Sequence, residues 1–347
     1  MGWFGGPTIG SCVSPLLEPT IQAASMNARG ARPIPVEGES TKQPKAKTSA
    51  SETHRGRLEQ LWPWILRVVW FLAAPLCAPL FGEALADRSK PVQVLFLSAA
   101  WIVWGAGLVA TLVPHPAGLV GLRIAGPTLL ATTVWAIMQS NVSTLSKSLG
   151  LVCALTSSVV VAFHETGHFC VNGPAYPNER RFLLRPSAPL LLIAPIAGVL
   201  VAAGVLVGPL LLAAKQWIPG ALATALGAVV AYILVRSLFG LARRFLVFVP
   251  AGFVIHDYSA LREPVLFKRG QIEGMRAAPA DTDSLDLTLG APGLVLEFLL
   301  KEKVEMSRLM GARDRVGETG KSARFLAVPT LPGRLLNEAR ARRYRVG

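Results

Sequence analysis

Residues 189–212 read PLLLIAPIAGVLVAAGVLVGPLLL, a stretch of 24 residues with no charged side chain. A bilayer core about 30 Å thick is crossed by about 20 apolar residues at a helical rise of about 1.5 Å per residue. This stretch therefore predicts a transmembrane helix. Five other apolar runs predict further spans, at residues 61–81, 92–113, 124–138, 149–169 and 218–239.

The run at 124–138 is the shortest of the six. It has 15 residues and contains Pro127, so the sequence leaves open whether it crosses the bilayer fully. Counting it, the predicted fold class is an α-helical polytopic membrane protein with about six transmembrane helices.

The charged residues divide the chain into three regions, 1–60, 61–240 and 241–347. The middle region holds 10 Lys/Arg and 4 Asp/Glu, whereas the two ends together hold 25 and 17. The net charge of +14 is spread as +2, +6 and +6, so no single basic domain points to nucleic acid. The four cysteines include no CxxC pair. These features exclude a soluble globular enzyme, a nucleic-acid binder and a secreted disulfide scaffold.

Positive charge between the runs predicts the topology. The basic residues before the first run, between the fourth and fifth, and after the sixth mark the cytoplasmic side under the positive-inside rule. Both termini are therefore expected in the cytoplasm of a bacterial plasma-membrane protein. These residues are Arg55 and Arg57, then Arg180, Arg181 and Arg185, then Arg243 and Arg244.

The N-terminal region, residues 1–60, is predicted to be a disordered tail. Residues 27–59 are rich in Pro, Ser, Thr, Lys and Glu and nearly lack aromatic residues. Such a segment buries too little apolar surface to offset the entropy of ordering.

The C-terminal region, residues 241–347, has β-rich patterning. Strands are predicted at 245–249, 253–256, 265–267, 294–300 and 325–328, and a terminal helix at 333–343. This order of elements, with the ending FLAVPTLPGRLLNEARARR at 325–343, resembles the pleckstrin-homology-like domains of bacterial membrane proteins. The resemblance implies a small cytoplasmic β-rich domain plugged by its C-terminal helix.

Three stretches resemble a family of uncharacterised multi-span membrane proteins of high-G+C Gram-positive bacteria. They read VNGPAYPNERRFLLRP at 171–186, FVPAGFVIHD at 248–257 and PADTDSLDLTLGAPGL at 279–294. The resemblance covers about residues 60–345. It implies the architecture and a plasma-membrane location, and it carries over no catalytic residue.

One sequence motif is typical of a catalytic metal site. His164-Glu165-Thr166-Gly167-His168 is an H-E-x-x-H sequence at the end of the fourth predicted span. On a helix, His164 and His168 share a face and can bind Zn²⁺, while Glu165 can act as general base. The motif is similar to that of the site-2 family of intramembrane zinc proteases.

The third zinc ligand of that family is missing. The family takes it from an Asp-Gly in a later span, and neither 189–212 nor 218–239 contains Asp, Glu or His. Another residue could replace this third ligand only if the chain folded back or the C-terminal region docked against the motif. The alternative interpretation has no metal: the two imidazoles and the carboxylate bond one another, water, and Arg180 or Arg181. The substitutes are Cys170, Asn172, Glu179, His256 and Asp257.

Other candidates have simpler explanations. Arg67 and Arg236 lie within spans, where a charge can mark a polar cavity but can also reach the membrane surface. The basic cluster of the cytoplasmic side can contact anionic headgroups or report topology alone. His256-Asp257 follows a strand and suits a turn.

The sequence therefore predicts a non-enzymatic integral membrane protein without a cofactor, whose cytoplasmic domain binds a protein partner or anionic lipid headgroups. The alternative is a zinc-dependent intramembrane metallohydrolase using His164, Glu165 and His168. A transporter ranks last, because the spans lack mid-membrane acidic residues and a repeated half.

Overall fold

The computed structural model describes residues 50–309 and 318–347, with side chains described for 60–309 and 319–347. Most of the tail predicted at 1–60, including Cys12, lies outside the described residues. The last part of that prediction needs correction, since helix α1 already begins at Ala50. The long helices of the described chain are α1 (Ala50–Ala84), α2 (Lys90–Leu112), α3 (Pro116–Gln139), α4 (Thr144–Ala162), α6 (Ala188–Ala213) and α7 (Trp217–Ala242).

All six of these helices are long and apolar enough to cross a membrane, as predicted. The third is longer than the run at 124–138, because the helix extends back to Pro116 and includes Arg123. A single charged residue interrupts an apolar run without ending a helix, and Pro116 suits the first helical position, where no backbone N–H is needed. α3 therefore has 24 residues, enough to cross a bilayer core.

The fourth predicted span, 149–169, is divided in two. Helix α4 ends at Ala162, Phe163 adopts an extended conformation with φ −61° and ψ 149°, and a short helix α5 spans His164–Asn172. The H-E-x-x-H motif thus occupies a separate nine-residue helix and not the end of the span.

Helices α6 and α7 pack through glycines. Gly204 and Gly208 on α6 face Gly227 and Thr224 on α7. A Cβ atom added at Gly227 would overlap the carbonyl oxygen of Gly204. Without a hydrophobic driving force between helices inside a membrane, such close backbone approach supplies much of the association energy.

The C-terminal half forms two four-stranded sheets. The first has the order β1-β2-β3-β4 and is antiparallel, and the second has the order β5-β7-β8-β6. The strands are β1 (Arg180–Leu183), β2 (Phe245–Val249), β3 (Gly252–His256), β4 (Val265–Lys268), β5 (Ile272–Ala277), β6 (Leu285–Asp286), β7 (Leu296–Arg308) and β8 (Glu318–Ala327), and helix α8 spans Pro332–Ala341. The two sheets and α8 are called the β unit below.

The β unit confirms the predicted β-rich C-terminal region and its terminal helix. Leu335 and Ala339 of α8 are fully buried in the same core as Phe253, Phe298 and Phe325 from the sheets. The sequence missed β5 and β6, shortened β7 and β8, and treated β1 as a loop between spans. Because β1 pairs with β2, the first sheet includes a strand from outside residues 241–347.

A buried carboxylate stabilises the second sheet. Glu297 of β7 is fully buried and accepts hydrogen bonds from Thr282 (2.6 Å), Ser284 (2.7 Å) and Arg276 (2.6 Å). Burial alone raises the pKa of this carboxyl, but the three hydrogen bonds outweigh it and hold the pKa at about 2.

We expect Glu297→Gln to destabilise the β unit at neutral pH. The folded-state pKa of Glu297 is depressed, so its contribution, about 3 kcal/mol, is complete above about pH 4.5 and is lost as the pH falls toward 2. Hydrogen exchange of β7 and β8 should therefore accelerate in the variant at pH 7, and the difference from wild type should shrink below pH 4. Glu305→Gln, an exposed position on the same strand, is the control. A penalty that does not change with pH would contradict this account.

Candidate functional site

The turn at Phe163, between α4 and α5, is fixed by two hydrogen bonds of the Thr166 hydroxyl. The Thr166 hydroxyl donates to the carbonyl of Val160 at 2.6 Å and accepts from the indole N–H of Trp62 at 2.9 Å. Thr166 is fully buried, and Trp62 also packs on the ring of Phe163. Trp62 of α1 therefore holds α5 at a set angle to α4.

The C-terminal end of α5 is also fixed by hydrogen bonds. The Asn172 side chain accepts from the backbone N–H of Arg181 (2.9 Å) and donates to the carbonyls of Arg181 (2.8 Å) and His168 (2.9 Å). Gly173 then passes so close to Pro114 that an added Cβ would overlap the Pro114 carbonyl oxygen. Helix α5 ends at Asn172, directly before Gly173 and Pro174.

His168 and Glu165 line a cavity of about 310 Å³, whose other walls include Trp62 and Pro63 of α1 and Arg334 of α8. The Arg334 guanidinium of α8 lies 3.9 Å from the Glu165 carboxylate. Burial, helped by Arg334 and Arg180, lowers the pKa of His168 to about 4, so its imidazole is neutral at pH 7. The expected ion-pair partner of Glu165 was Arg180 or Arg181, and the C-terminal helix supplies Arg334 instead.

His164 lies one turn along α5 from Gly167, which packs against Leu119 of α3 and Leu183 of β1. Burial lowers the pKa of His164, and Arg185 and Arg123 act in the same direction. The Arg123 guanidinium approaches Gly167, one turn along α5, and its Nη2 would lie 3.4 Å from a Cβ added there. Arginines therefore flank both histidines of the motif.

Within the part of the chain that the structure describes, no third ligand joins the histidine pair. No group of three His, Cys, Asp or Glu that could hold a metal occurs among the described residues. A catalytic zinc site uses three protein ligands, and nearby guanidinium groups disfavour a dication. The donor set is therefore one ligand short, and zinc at His164 and His168 with Glu165 as base stays a prediction.

The residues considered as a replacement for the third zinc ligand are buried or contact other side chains. The Cys170 thiol is buried, and burial raises its pKa to about 12, although Arg123 opposes the shift. Glu179 pairs with Arg181 at 3.1 Å. His256 stacks on Phe245 with ring centroids 4.6 Å apart.

Asp257 forms a buried ion pair with Arg244. The Arg244 Nε and Nη2 atoms lie 3.0 and 2.9 Å from the carboxylate, and both side chains are about 2% exposed or less. Asp257 also accepts from the backbone N–H of Ser259, which confirms the turn predicted there.

Among the intramembrane arginines, Arg67 donates to the carbonyl of Thr111 at 3.3 Å and stacks over Trp64. Arg236 is exposed on α7. Neither residue lines the cavity beside His168.

Sequence reasoning missed three arginines that matter here. Arg123 was placed outside the third span because it interrupts an apolar run. Arg334 was assigned to the terminal helix with no link to the motif. Arg244 was grouped with the basic cluster that can contact anionic headgroups or report topology alone. No local pattern points to Glu165 as the partner of Arg334 or to Asp257 as the partner of Arg244, because the partners lie in other parts of the chain.

Comparison of the chain with protein-family models, with curated proteins and with solved structures finds no match. The fold and the site are therefore interpreted from the chain's own residues.

Proposed function

We propose that this chain is a non-enzymatic integral protein of the bacterial plasma membrane, whose β unit lies on the cytoplasmic membrane surface and binds anionic lipid headgroups. The positive-inside charge bias supports this orientation. The even number of candidate spans is consistent with it, because α1 then begins on the side where α7 ends and the β unit follows.

Short connections support a position close to the membrane. β2 starts at Phe245, directly after α7 ends at Ala242, and β1 ends at Leu183, shortly before α6 begins at Ala188. A chain segment spans at most about 3.6 Å per residue, so the first sheet lies within a few residues' reach of two helix ends. These short connections support a position of the β unit near the headgroup layer.

The main support for this proposal is the loop at 288–294, which exposes two leucines. Leu289 and Leu294 are 37% and 51% exposed, and the loop is joined to Arg185, whose Nη1 donates to the Pro292 carbonyl at 3.3 Å. Arg185 lies three residues before α6. Exposed leucines beside the start of an apolar helix suit insertion at the boundary between headgroups and acyl chains.

Basic side chains near the same boundary favour anionic lipids. Arg180 on β1 and Arg243 after α7 are exposed, and each basic residue near an anionic surface contributes about 1 kcal/mol of attraction. A pleckstrin-homology-like identity of the β unit fits the two sheets closed by α8, and it belongs to this proposal.

The test measures the contact of Leu294 with lipid. A fluorophore on Leu294→Cys, in a Cys12→Ser background, should be strongly quenched by phospholipids with a nitroxide near the headgroup end of the acyl chain. The three remaining cysteines are buried and should react slowly. The control is Leu266→Cys on β4, which is similarly exposed at 47%.

Equal quenching at the two positions would contradict a membrane-facing loop. The non-enzymatic part would be contradicted by one zinc per purified chain that is lost in the His164→Ala/His168→Ala variant. That result would favour the metallohydrolase alternative.

A further inference from the structure

Helix α2 packs loosely against the rest of the helical region. Within its apolar stretch α2 is 11% buried, against 33% for α1 and α3. An outer cavity of about 440 Å³ lies between α2, α3 and α6, and an inner cavity of about 120 Å³ lies mainly between α1, α2 and α3. Phe96, Thr128, Thr132 and Leu206 line both, so the two cavities adjoin.

The inner cavity suits an apolar group. Six of its lining residues are alanines, and its polar donors are already used within the protein. Trp70 and Trp104 each donate an indole N–H to the backbone carbonyl of the other, at 2.9 and 3.1 Å. The hydroxyls of Thr128 and Thr132 donate to carbonyls of α3. A hydrocarbon group enters such a cavity without breaking a hydrogen bond, whereas a polar group would lose its bonds to water.

The outer cavity is about as long as one leaflet of a bilayer is thick. It is lined by α6 from Val199 to Leu211, which is about 18 Å at a rise of about 1.5 Å per residue. The hydrocarbon of one leaflet is about 15 Å thick, half of a bilayer core. Leu85 and Arg88, just after α1, and Ala214, just after α6, line the end of the cavity where these helices end.

A positive charge lies at that end. Arg88 is exposed, and its guanidinium forms no ion pair within residues 60–309 and 319–347. Glu83 and Asp87 belong to the same part of the chain but line neither cavity. Guanidinium groups match the geometry of phosphate oxygens and bind them through charged hydrogen bonds. The outer cavity thus joins an apolar interior to a cation at its end.

We propose that the two cavities bind one membrane phospholipid, whose phosphate contacts Arg88 and whose acyl chain lies between α2, α3 and α6 and ends in the inner cavity. An extended peptide fits less well, because its backbone polar groups would lack partners there. Under the proposed topology the lipid belongs to the external leaflet, on the side opposite the β unit. This site goes beyond the proposed function, and its lipid binding does not depend on that orientation.

The experiment uses the full chain in a neutral detergent and a phosphatidylglycerol with a photoreactive diazirine at the end of one acyl chain. After illumination, peptide mass spectrometry locates the labelled residues at increasing lipid concentration. We expect saturable labelling in the inner cavity, at residues such as Ala73 and Leu97. Absence of saturable labelling, or labelling confined to outward-facing positions of α2 such as Ile102, which is 71% exposed, would overturn the site.

The contact with phosphate is tested at Arg88. Arg88→Gln should raise the half-saturating lipid concentration about tenfold, as expected for loss of one charged hydrogen-bonding group. Lys215→Gln, which removes a positive charge just after α6 and lines neither cavity, should respond like wild type. A diacylglycerol with the same acyl chains lacks the phosphate and should compete about tenfold more weakly than unlabelled phosphatidylglycerol. Equal competition by the two lipids, or an unchanged response of Arg88→Gln, contradicts the proposal.

The path of the acyl chain is tested at Leu206, which lines both cavities. Leu206→Trp should abolish labelling of the inner cavity, because the larger ring fills the junction. Val205→Trp is the control, since Val205 is 55% exposed on the same helix and lines neither cavity. If Leu206→Trp does not fold, Ala203→Phe in the outer cavity carries the same test. Labelling that persists in a folded variant of either residue overturns the site. None of these positions lies in the loop at 288–294, so quenching at Leu294 reports separately on the proposed function.

Discussion

Gly227→Ala should be among the most damaging single substitutions in the helical region. The added methyl group would overlap the backbone carbonyl of Gly204, which cannot move without shifting α6. Overpacking costs about 1–3 kcal/mol where side chains can adjust, and here the obstacle is backbone. We expect a loss of about 2–4 kcal/mol relative to a harmless Gly→Ala change, measured as the free energy of unfolding in mixed micelles.

Gly240→Ala supplies that comparison within the same helix. A Cβ at Gly240 has no neighbour within 4 Å, so the change should be neutral or stabilising through helix propensity. Similar stabilities of the two variants would show that α6 and α7 do not depend on close glycine contact.

Asp257→Asn should produce a comparable loss in the β unit. The substitution keeps the shape and the acceptor for Ser259 but leaves the buried Arg244 charge unpaired. Breaking a buried ion pair in this way costs about 3–5 kcal/mol. Hydrogen exchange of β2 and β3 should accelerate accordingly.

Two further variants distinguish charge from shape. The double variant Arg244→Met/Asp257→Asn removes the unpaired charge and should recover most of the lost stability. Glu338→Gln removes the partner of Arg342 in a partly exposed pair, with side chains 20–26% accessible, and should cost about 1 kcal/mol. A loss at Glu338 as large as that at Asp257 would show that burial is not the cause.

The sequence predicts the helical region well because the bilayer limits the choices. A segment such as 189–212 satisfies its backbone polar groups in an apolar phase only as a helix. Strands such as β2 and β3 were equally predictable, since short runs of β-branched and aromatic residues flank a Pro-Ala-Gly turn.

The candidate site was predicted only as a list of residue types. The spacing of His164 and His168 places both on one helix face wherever that helix lies, so the motif itself was visible. The pattern contains no information on the turn at Phe163 between α4 and α5, because residues 151–163 lead up to the motif without a Gly or Pro.

Tertiary structure alone decides what surrounds the motif. The Trp62–Thr166 hydrogen bond turns α5 away from α4, and α8 then brings Arg334 to Glu165 while α3 brings Arg123 to Gly167. These partners are far apart in sequence, and each contact depends on the packing of several elements at once. By itself the sequence thus determined six apolar helices, a β-rich C-terminal region and a histidine motif. The fold decided that, among the described residues, arginines and not a third metal ligand surround that motif.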